Sequence, residues 1–355
     1  MRKKIQQIKE ILMWNLYYGF KPINETDKEG GYSLFHKILM IAHLIHIRIH
    51  GEYWTIDRIK NKIEYDTDTI SNIIFNTLNS NSPCMIARFG SIEQTVVANY
   101  VSINQKDHSI FKLISGEQPY WWWDKKIRKE LKTNAGFFPN EKEYIENYCK
   151  LMIKDTSVVD VLATWYGREP ILLNNNNETI LIGLQEAEPW WQANPWTRCL
   201  INKKILVIHP FAELIEKQYK KRKLLFKDER VLPEFNLKTI KAVQSVNGEC
   251  ENFSNWFDAL KWMQEEMDKT DYDIALIGCG AYGFCLAAHA KRSGKKAFHM
   301  GGVLQLLFGI KGKRWEDESY HPKYNYTTLF NKYWVKPDDI YKPRTGNNIE
   351  GGCYW

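Results

Sequence analysis

Apolar residues along this chain recur in two patterns, short continuous runs and three- or four-residue spacing, with polar turns between them. The short runs predict buried strands at residues 84–88, 158–163, 179–184, 204–208, 237–243, 273–277 and 296–300. The helical spacing predicts helices at residues 55–63, 68–78, 91–100, 212–222, 255–269, 284–292 and 303–308. Because strands alternate with helices, we expect an α/β fold with a doubly wound, mostly parallel, Rossmann-like sheet.

The two ends of the chain differ from this alternation. Residues 1–78 are mainly of helical pattern, and the sequence from residue 311 onward is polar, aromatic and irregular. We therefore predict three regions: a helical N-terminal region at 1–78, a Rossmann-like domain at 79–310 and a C-terminal tail at 311–355.

A glycine-rich turn follows the strand predicted at 273–277. Gly278, Gly280 and Gly283 fit the spacing G-x-G-x-x-G, with Tyr282 inside it, and a helix follows. Such a turn lets backbone N–H groups approach a pyrophosphate at the helix N-terminus. The alternative is that the glycines only permit tight packing of strand against helix.

The next strand argues against a dehydrogenase. A dinucleotide site of that class needs an Asp or Glu about 20 residues after the glycines, to bind the ribose hydroxyls. Here the strand ends in His299, Met300, Gly301 and Gly302, and no acid is near. A nucleotide at this turn would be held in another way, with Gly301 and Gly302 beside the substrate.

The strand ending at residue 88 leads into a polar turn. Arg88 could bind a phosphate with its planar guanidinium group, and Glu93 could bind a divalent cation or a sugar hydroxyl. Gly90 forms the turn, and Ser91 is a candidate N-cap with Gln94 at the capping-box position. The alternative is structural: Arg88 forms an ion pair and Glu93 complements the helix dipole.

A third turn follows the strand at 204–208. His209 at its end could donate to a phosphate or act as a general base, and Glu213 follows in the next helix. Ligands of doubly wound sheets bind at the carboxyl ends of the strands. We therefore expect the turns at 88–93, 209–213 and 278–283 to form one site.

Aromatic clusters occur at residues 120–123 and at Trp190 and Trp191, in a chain with 14 Trp and 19 Tyr. Indole rings stack on the C–H faces of sugars, so Trp190 and Trp191 are candidates for substrate contact. The alternative is that these rings belong to the core.

Charge and cysteines restrict the class of protein. The seven cysteines are odd in number and lack zinc spacing, which is typical of reduced thiols in the cytoplasm. The net charge of +7 is not accompanied by any nucleic-acid-binding motif, so we expect no nucleic-acid partner. Residues 1–4 are basic, and apolar residues follow at helical spacing up to residue 16. This N-terminus either contacts an anionic membrane surface or packs on the protein.

Taken in this order, the three turns resemble the bacterial glycosyltransferases of the type D fold, a former domain of unknown function found in polysaccharide and glycan gene clusters. Residues 88–93 (RFGSIE) match the family's R-F-G-D-G-E, residues 206–219 its Pro-containing turn and helix, and residues 274–302 its glycine turn. In the family the D-x-E residues bind metal and nucleotide-sugar. Here Glu93 matches the Glu, but Ser91 replaces the Asp, so we expect only weak dependence on Mn²⁺ or Mg²⁺.

The resemblance implies a glycosyltransferase that moves a sugar from a nucleotide-sugar donor to a glycan or lipid-linked glycan acceptor. We expect it in the cytoplasm, with a peripheral position at the inner face of the membrane if the N-terminus binds lipid. The residues expected at the nucleotide are Arg88, Gly90, Ser91, Gly278, Gly280, Tyr282 and Gly283, and the candidate bases are Glu93, His209 and Glu213. The alternatives are a nucleotide-sugar-modifying Rossmann oxidoreductase and a non-catalytic glycan-binding module.

Overall fold

The computed structural model describes residues 32, 34–173, 178–248, 250, 252–337 and 354. The basic N-terminal helix predicted within residues 1–16 lies outside these ranges. Seven parallel strands form one sheet in the order β3-β2-β1-β7-β6-β4-β5. The strands are β1 Cys84–Ala87, β2 Val161–Thr164, β3 Ile180–Gly183, β4 Lys204–His209, β5 Asn236–Lys241, β6 Ile274–Ile277 and β7 Lys296–His299. The predicted α/β, doubly wound, Rossmann-like fold is confirmed.

Helices connect and cover these strands. The α-helices are α1 Leu34–His50, α2 Thr67–Asn79, α3 Ser91–Asn104, α4 Ile110–Ser115, α5 Lys125–Thr133, α6 Lys142–Thr156, α7 Glu169–Leu172, α8 Ala212–Tyr219, α9 Trp256–Lys269, α10 Tyr282–Arg292 and α11 Leu304–Leu307. None of these described helices combines the length and apolar character needed to cross a membrane. The helix predicted at 55–63 is wrong: this segment forms two 3₁₀ turns, Ile56–Arg58 and Lys60–Lys62.

Alternate residues of each strand point to opposite faces of the sheet and so supply two cores. In β4, Leu206 and Ile208 pack on one face with α3, α6, α9 and α10. Ile205 and Val207 of the same strand pack on the other face with α2, α8 and α11. Because both faces are covered, the central strands are continuous apolar runs, which is why sequence periodicity locates them well.

The edges of the sheet are closed in different ways. The segment before α2 adds a bridge to β3: the N–H of Glu64 donates to the carbonyl of Leu181 (2.9 Å), and the N–H of Gly183 donates to the carbonyl of Glu64 (2.9 Å). The opposite edge, β5, ends in the exposed Lys241, a residue type that discourages pairing with another chain.

The connections diverge at the carboxyl ends of the strands. The helices that follow β1 and β6 lie on one face of the sheet, and those that follow β7 and β4 lie on the other. Since β1 neighbours β7 and β6 neighbours β4, the chain leaves a crevice between these ends. This is where doubly wound sheets bind their ligands.

One contact between helix and sheet should be measurable. Gly283 in α10 faces the imidazole of His299 at the end of β7, and a Cβ at Gly283 would overlap that ring. We expect Gly283→Ala to destabilise the fold by about 1–3 kcal/mol through overpacking, although alanine favours helix by about 0.5–1 kcal/mol. Urea unfolding measures this difference.

The control for Gly283→Ala is the same substitution in a His299→Ala background, where the overlapping ring is gone. The loss should shrink there, because the two positions are coupled through one contact. Unchanged stability of Gly283→Ala in the parent chain would show that α10 moves away from β7 without cost.

Candidate functional site

A cavity of about 220 Å³ lies at the carboxyl edge of the sheet. Segments following β1, β2, β4, β5, β6 and β7 line it. The lining residues predicted from the sequence are Arg88, Gly90, Ser91, Glu93, His209, Gly278, Gly280, Tyr282, Gly301 and Gly302. The three predicted turns therefore meet at one site.

Arg88 is held at the cavity wall by the loop after β2. Its guanidinium carbon lies 5.0 Å from the centre of the Trp165 ring. The Trp165 indole N–H donates to the carbonyl of Phe89 (3.0 Å), which ties the ring to the turn that carries Arg88. At Gly301, where φ is +71°, a Cβ would lie 3.2 Å from Cδ of Arg88, so this glycine leaves room for the arginine.

A buried carboxyl group supports this loop from behind. Oε2 of Glu169 accepts hydrogen bonds from the backbone N–H groups of Trp165 (3.0 Å) and Tyr166 (3.1 Å). Glu169 is fully buried, and burial raises the pKa of its carboxyl to about 8 despite the charge of Arg88. At neutral pH a carboxyl with this pKa is mostly protonated, so Glu169 carries little negative charge to offset that of Arg88.

Two histidines line the cavity in opposite tautomers. Nδ1 of His209 accepts from the N–H of Phe211 (3.0 Å), so the proton of the neutral ring is on Nε2. Nδ1 of His299 donates to the carbonyl of Ile277 (3.2 Å), so its Nε2 is an acceptor. Burial lowers the pKa of both rings to about 3, with the charge of Arg88 contributing at His299. His209 is thus suited to donating a hydrogen bond and poorly suited to acting as a general base.

The three glycines of the 278–283 turn serve different purposes. A Cβ at Gly278 would lie 2.7 Å from the carbonyl oxygen of Gly301 and 2.9 Å from the His209 ring, so strand packing requires this glycine. Gly283 packs on His299 and does not contribute to the lining. Gly280 alone has open space around its missing side chain, and its φ is +56°. Packing thus explains two of the glycines, and only Gly280 leaves room for a ligand.

Tyr282 lies at the start of α10 on the cavity wall. Its hydroxyl is 2.8 Å from Oγ of Ser245, and its ring stacks on Trp256 with 4.8 Å between ring centres. Burial raises the pKa of the Tyr282 hydroxyl. The side chain is a fixed wall of the cavity.

Glu93 is the single acid among the described lining residues. Its carboxylate folds back over Gly90, where a Cβ would overlap it. Gly90 is the N-cap of α3 and Ser91 is its first residue, so the predicted capping role of Ser91 is wrong. The reason is that the chain becomes helical one residue earlier than a serine cap would require.

Metal ligands are sparse at this site. Within the described ranges, no three His, Cys, Asp or Glu side chains lie close enough together to hold a metal ion. Glu93 supplies one hard anionic ligand, and the Ser91 hydroxyl lies two residues before it in the sequence. A bound ion would need phosphate oxygens to complete its shell.

Sequence reasoning missed several lining residues, notably Trp165, Gln305, Arg314 and Tyr354. The Arg314 guanidinium lies 4.4 Å from the centre of the Tyr354 ring, and a Cβ at Gly302 would overlap that ring. Trp165 follows a predicted strand and could have been found by that rule. Arg314 and Tyr354 lie in the irregular tail, where no local pattern indicates them.

Besides Gly283, three further predicted residues do not line the cavity. The Trp190 ring stacks on Phe226 (6.2 Å), and the Trp191 ring stacks on Tyr324 (5.0 Å). Both rings are partly buried and pack against the core on the sheet face covered by α2, α8 and α11. Glu213 is exposed and accepts from Nζ of Lys241 (2.9 Å), which lowers the pKa of its carboxyl. It is therefore poorly placed to act as a base in the cavity.

Comparisons with family models, with curated proteins and with solved structures found no match to this chain. The inference about its chemistry therefore depends on the arrangement of its own side chains and on the motifs of its own sequence.

The raised pKa of Glu169 predicts a pH dependence of stability. Its carboxyl pKa is about 8 in the folded chain against 4.5 ordinarily, so the folded state retains a proton that the unfolded state releases. Stability should therefore decline as pH rises between these values. Glu169→Gln stays neutral at every pH and can still accept the two N–H bonds. We expect urea unfolding to show the variant gaining stability relative to the parent chain between about pH 5 and about pH 9.

The exposed Glu213 gives the control, because the pKa of its carboxyl is lowered rather than raised. Glu213→Gln should gain nothing relative to the parent over the same pH range. A parallel pH profile for Glu169→Gln and the parent would mean that Glu169 is ionised in the fold.

Proposed function

We propose that this chain is a glycosyltransferase that moves a sugar from a nucleotide-sugar donor to a glycan or lipid-linked glycan acceptor. The supporting observation is the composition of the cavity at the carboxyl edge of the sheet. It is lined by two arginines, a neutral donor histidine, an open glycine turn and, among the described residues, a single carboxylate. We infer the type of reaction from the resemblance of the three turns to the type D glycosyltransferases.

The cationic side of the cavity suits a diphosphate. Arg88 and Arg314 both line it. Because the proton of the neutral His209 ring is on Nε2, this atom can donate a hydrogen bond to a phosphate oxygen. Gly280 lets the backbone approach a ligand at the turn before α10. In sugar transfer the bond from the anomeric carbon to the diphosphate oxygen breaks, and these groups would stabilise the charge that the leaving diphosphate gains.

Glu93 is the proposed general base. The acceptor hydroxyl must lose its proton as its oxygen bonds to the anomeric carbon, and Glu93 is the one carboxylate among the described lining residues. The same residue would provide the ligand for Mn²⁺ or Mg²⁺ where one is bound with the donor. A cytoplasmic position beside the membrane would give access to a lipid-linked acceptor.

Nucleotide binding is the direct test. We expect UDP or another nucleoside diphosphate to bind the parent chain in calorimetry, and Arg88→Met to raise Kd at least tenfold through loss of charge-assisted hydrogen bonds. Arg58→Met is the matched control, since Arg58 also lies over an aromatic ring, Tyr53 (3.9 Å), but outside the cavity. Failure of UDP, GDP, CMP and dTDP to bind would refute the site, and bound NAD(P) would favour the oxidoreductase alternative.

Turnover tests the base. We expect Glu93→Gln to lower kcat by a factor of about 100 or more while nucleotide Kd changes little, because proton transfer occurs only in the transition state. Glu213→Gln is the control and should keep parent turnover. Near-parent kcat for Glu93→Gln would remove Glu93 from the mechanism.

The expected weak metal dependence is tested separately, by measuring sugar transfer in EDTA. The parent chain should retain most of its activity there, because Ser91 stands where the family has an Asp ligand. Full loss of activity in EDTA that Mn²⁺ restores would contradict weak metal dependence.

A further inference from the structure

Charge is distributed unevenly among the residues that line the cavity. The charged ones lie at the ends of β1 and β7. Arg88 and Glu93 follow β1. Arg314 lies over the ring of Tyr354, and that ring packs on Gly302 after β7. The lining residues at the ends of β5 and α5 are uncharged, namely Asn134, Ala135, Gly136, Val243, Gln244 and Ser245. The described lining thus has a charged end and an uncharged end.

The order of the strands separates these two ends. Strands β7, β6 and β4 lie between β1 and β5 in the sheet. Neighbouring strands are about 4.8 Å apart, so the ends of β1 and β5 are separated by about 19 Å. Gly280 and His209 follow β6 and β4, and both line the cavity between the two ends. A ligand that contacts both ends must therefore extend past Gly280 and His209.

Gln244 lies at the uncharged end, in the loop after β5, and this loop is fixed by its neighbours. The N–H of Ala242 donates to the carbonyl of the last residue of β4 (3.2 Å), and the Ser245 hydroxyl is 2.8 Å from that of Tyr282. A Cβ at Gly136 would lie 2.6 Å from the carbonyl oxygen of Ser245, so this glycine lets the end of α5 pack on the loop. Ala242 and Ser245 are buried, whereas Gln244 is half-buried and lines the cavity.

The Gln244 amide has hydrogen-bonding capacity that the described part of the protein does not use. Its side chain has no hydrogen-bond partner among the described residues. An amide presents N–H donors and a carbonyl acceptor side by side. A nucleobase presents a donor and an acceptor side by side along its edge, and Gln side chains pair with such an edge through two hydrogen bonds. Ala135 and Val243, at the same end, add apolar contact for a flat ring.

The order of groups in a nucleotide-sugar distinguishes the base from the sugar as the partner of Gln244. The diphosphate lies between the sugar and the nucleoside. In the proposed reaction the sugar lies beside Glu93, because this carboxylate accepts the proton of the hydroxyl that attacks the anomeric carbon. The diphosphate then lies against Arg88 and the turn at Gly280. The nucleoside continues in the same direction, past His209, and reaches the uncharged end.

We propose that the nucleoside of the donor lies at the uncharged end of the cavity and that Gln244 forms hydrogen bonds with the edge of its base. Gln244 is then a specificity-determining residue for the donor. This inference rests on the proposed function, because it takes a nucleotide-sugar as the ligand. It gives the donor a direction across the sheet, with the sugar at β1 and the base at β5.

Calorimetry of the full chain with UDP, CDP, GDP and dTDP tests the inference. Gln244→Met keeps the length of the side chain and removes its amide. We expect it to raise the Kd of the tightest-binding nucleotide about tenfold and to narrow the preference among the four bases. Gln244→Ala should have the same effect. The matched control is Gln185→Met, at a half-buried amide in the loop after β3 outside the cavity, and it should bind like the parent.

Arg88→Met provides the contrast, since Arg88 is expected at the diphosphate. It should weaken all four nucleotides by the same factor and leave their order unchanged. A residue that contacts the base must instead change the ratio of the Kd values for different bases. Circular dichroism of each variant shows whether its fold is intact.

Two results would overturn the inference and leave the proposed function standing. The first is parent-like binding, or an equal loss for every base, in both Gln244 variants while Arg88→Met still weakens binding. The second is a loss with UDP-glucose but not with UDP, which would place Gln244 at the sugar. Failure of all four nucleotides to bind the parent would refute both proposals. A narrowed base preference in a chain without sugar transfer would support the nucleoside site and count against the glycosyltransferase alone.

Discussion

The carboxyl ends of β4, β6 and β7 converge on Gly278, a position with no room for a side chain. Its N–H donates to the carbonyl of Ile208 (2.9 Å), and the Gly301 carbonyl and the His209 ring would lie within 3 Å of a Cβ there. This close approach brings turns that are distant in the sequence to the same place. The cavity exists because these strand ends meet while their helices diverge to opposite faces of the sheet.

Burial at that convergence determines the charges of the site. Removing His209 and His299 from water keeps both rings neutral, and removing Glu169 from water keeps its carboxyl protonated near neutral pH. The charges left at the wall are the two arginines and Glu93. A cavity wall with two cationic side chains and one carboxylate follows from desolvation as much as from the number of charged residues.

The sequence predicted the strands well, because continuous apolar runs are a local signal of strands covered on both faces. The bounds of the predicted strands differ from the observed ones by up to three residues. It also predicted three of the turns that meet at the cavity, since the carboxyl ends of parallel strands share one edge. It could not predict Arg314 and Tyr354, which reach the cavity from an irregular tail through contacts that no spacing encodes.

The aromatic clusters show why composition alone did not identify function. Trp190 and Trp191 follow β3 and find partners in Phe226 and Tyr324, so they stabilise the core. Trp122, in the other aromatic cluster, stacks on His36 of α1, and among the described residues the side chains of Leu34, Phe35 and Ile38 on that helix are exposed. What a tryptophan does here depends on what the fold places on its other side. The same rule separates Gly280, which faces open space, from Gly283, which faces a ring.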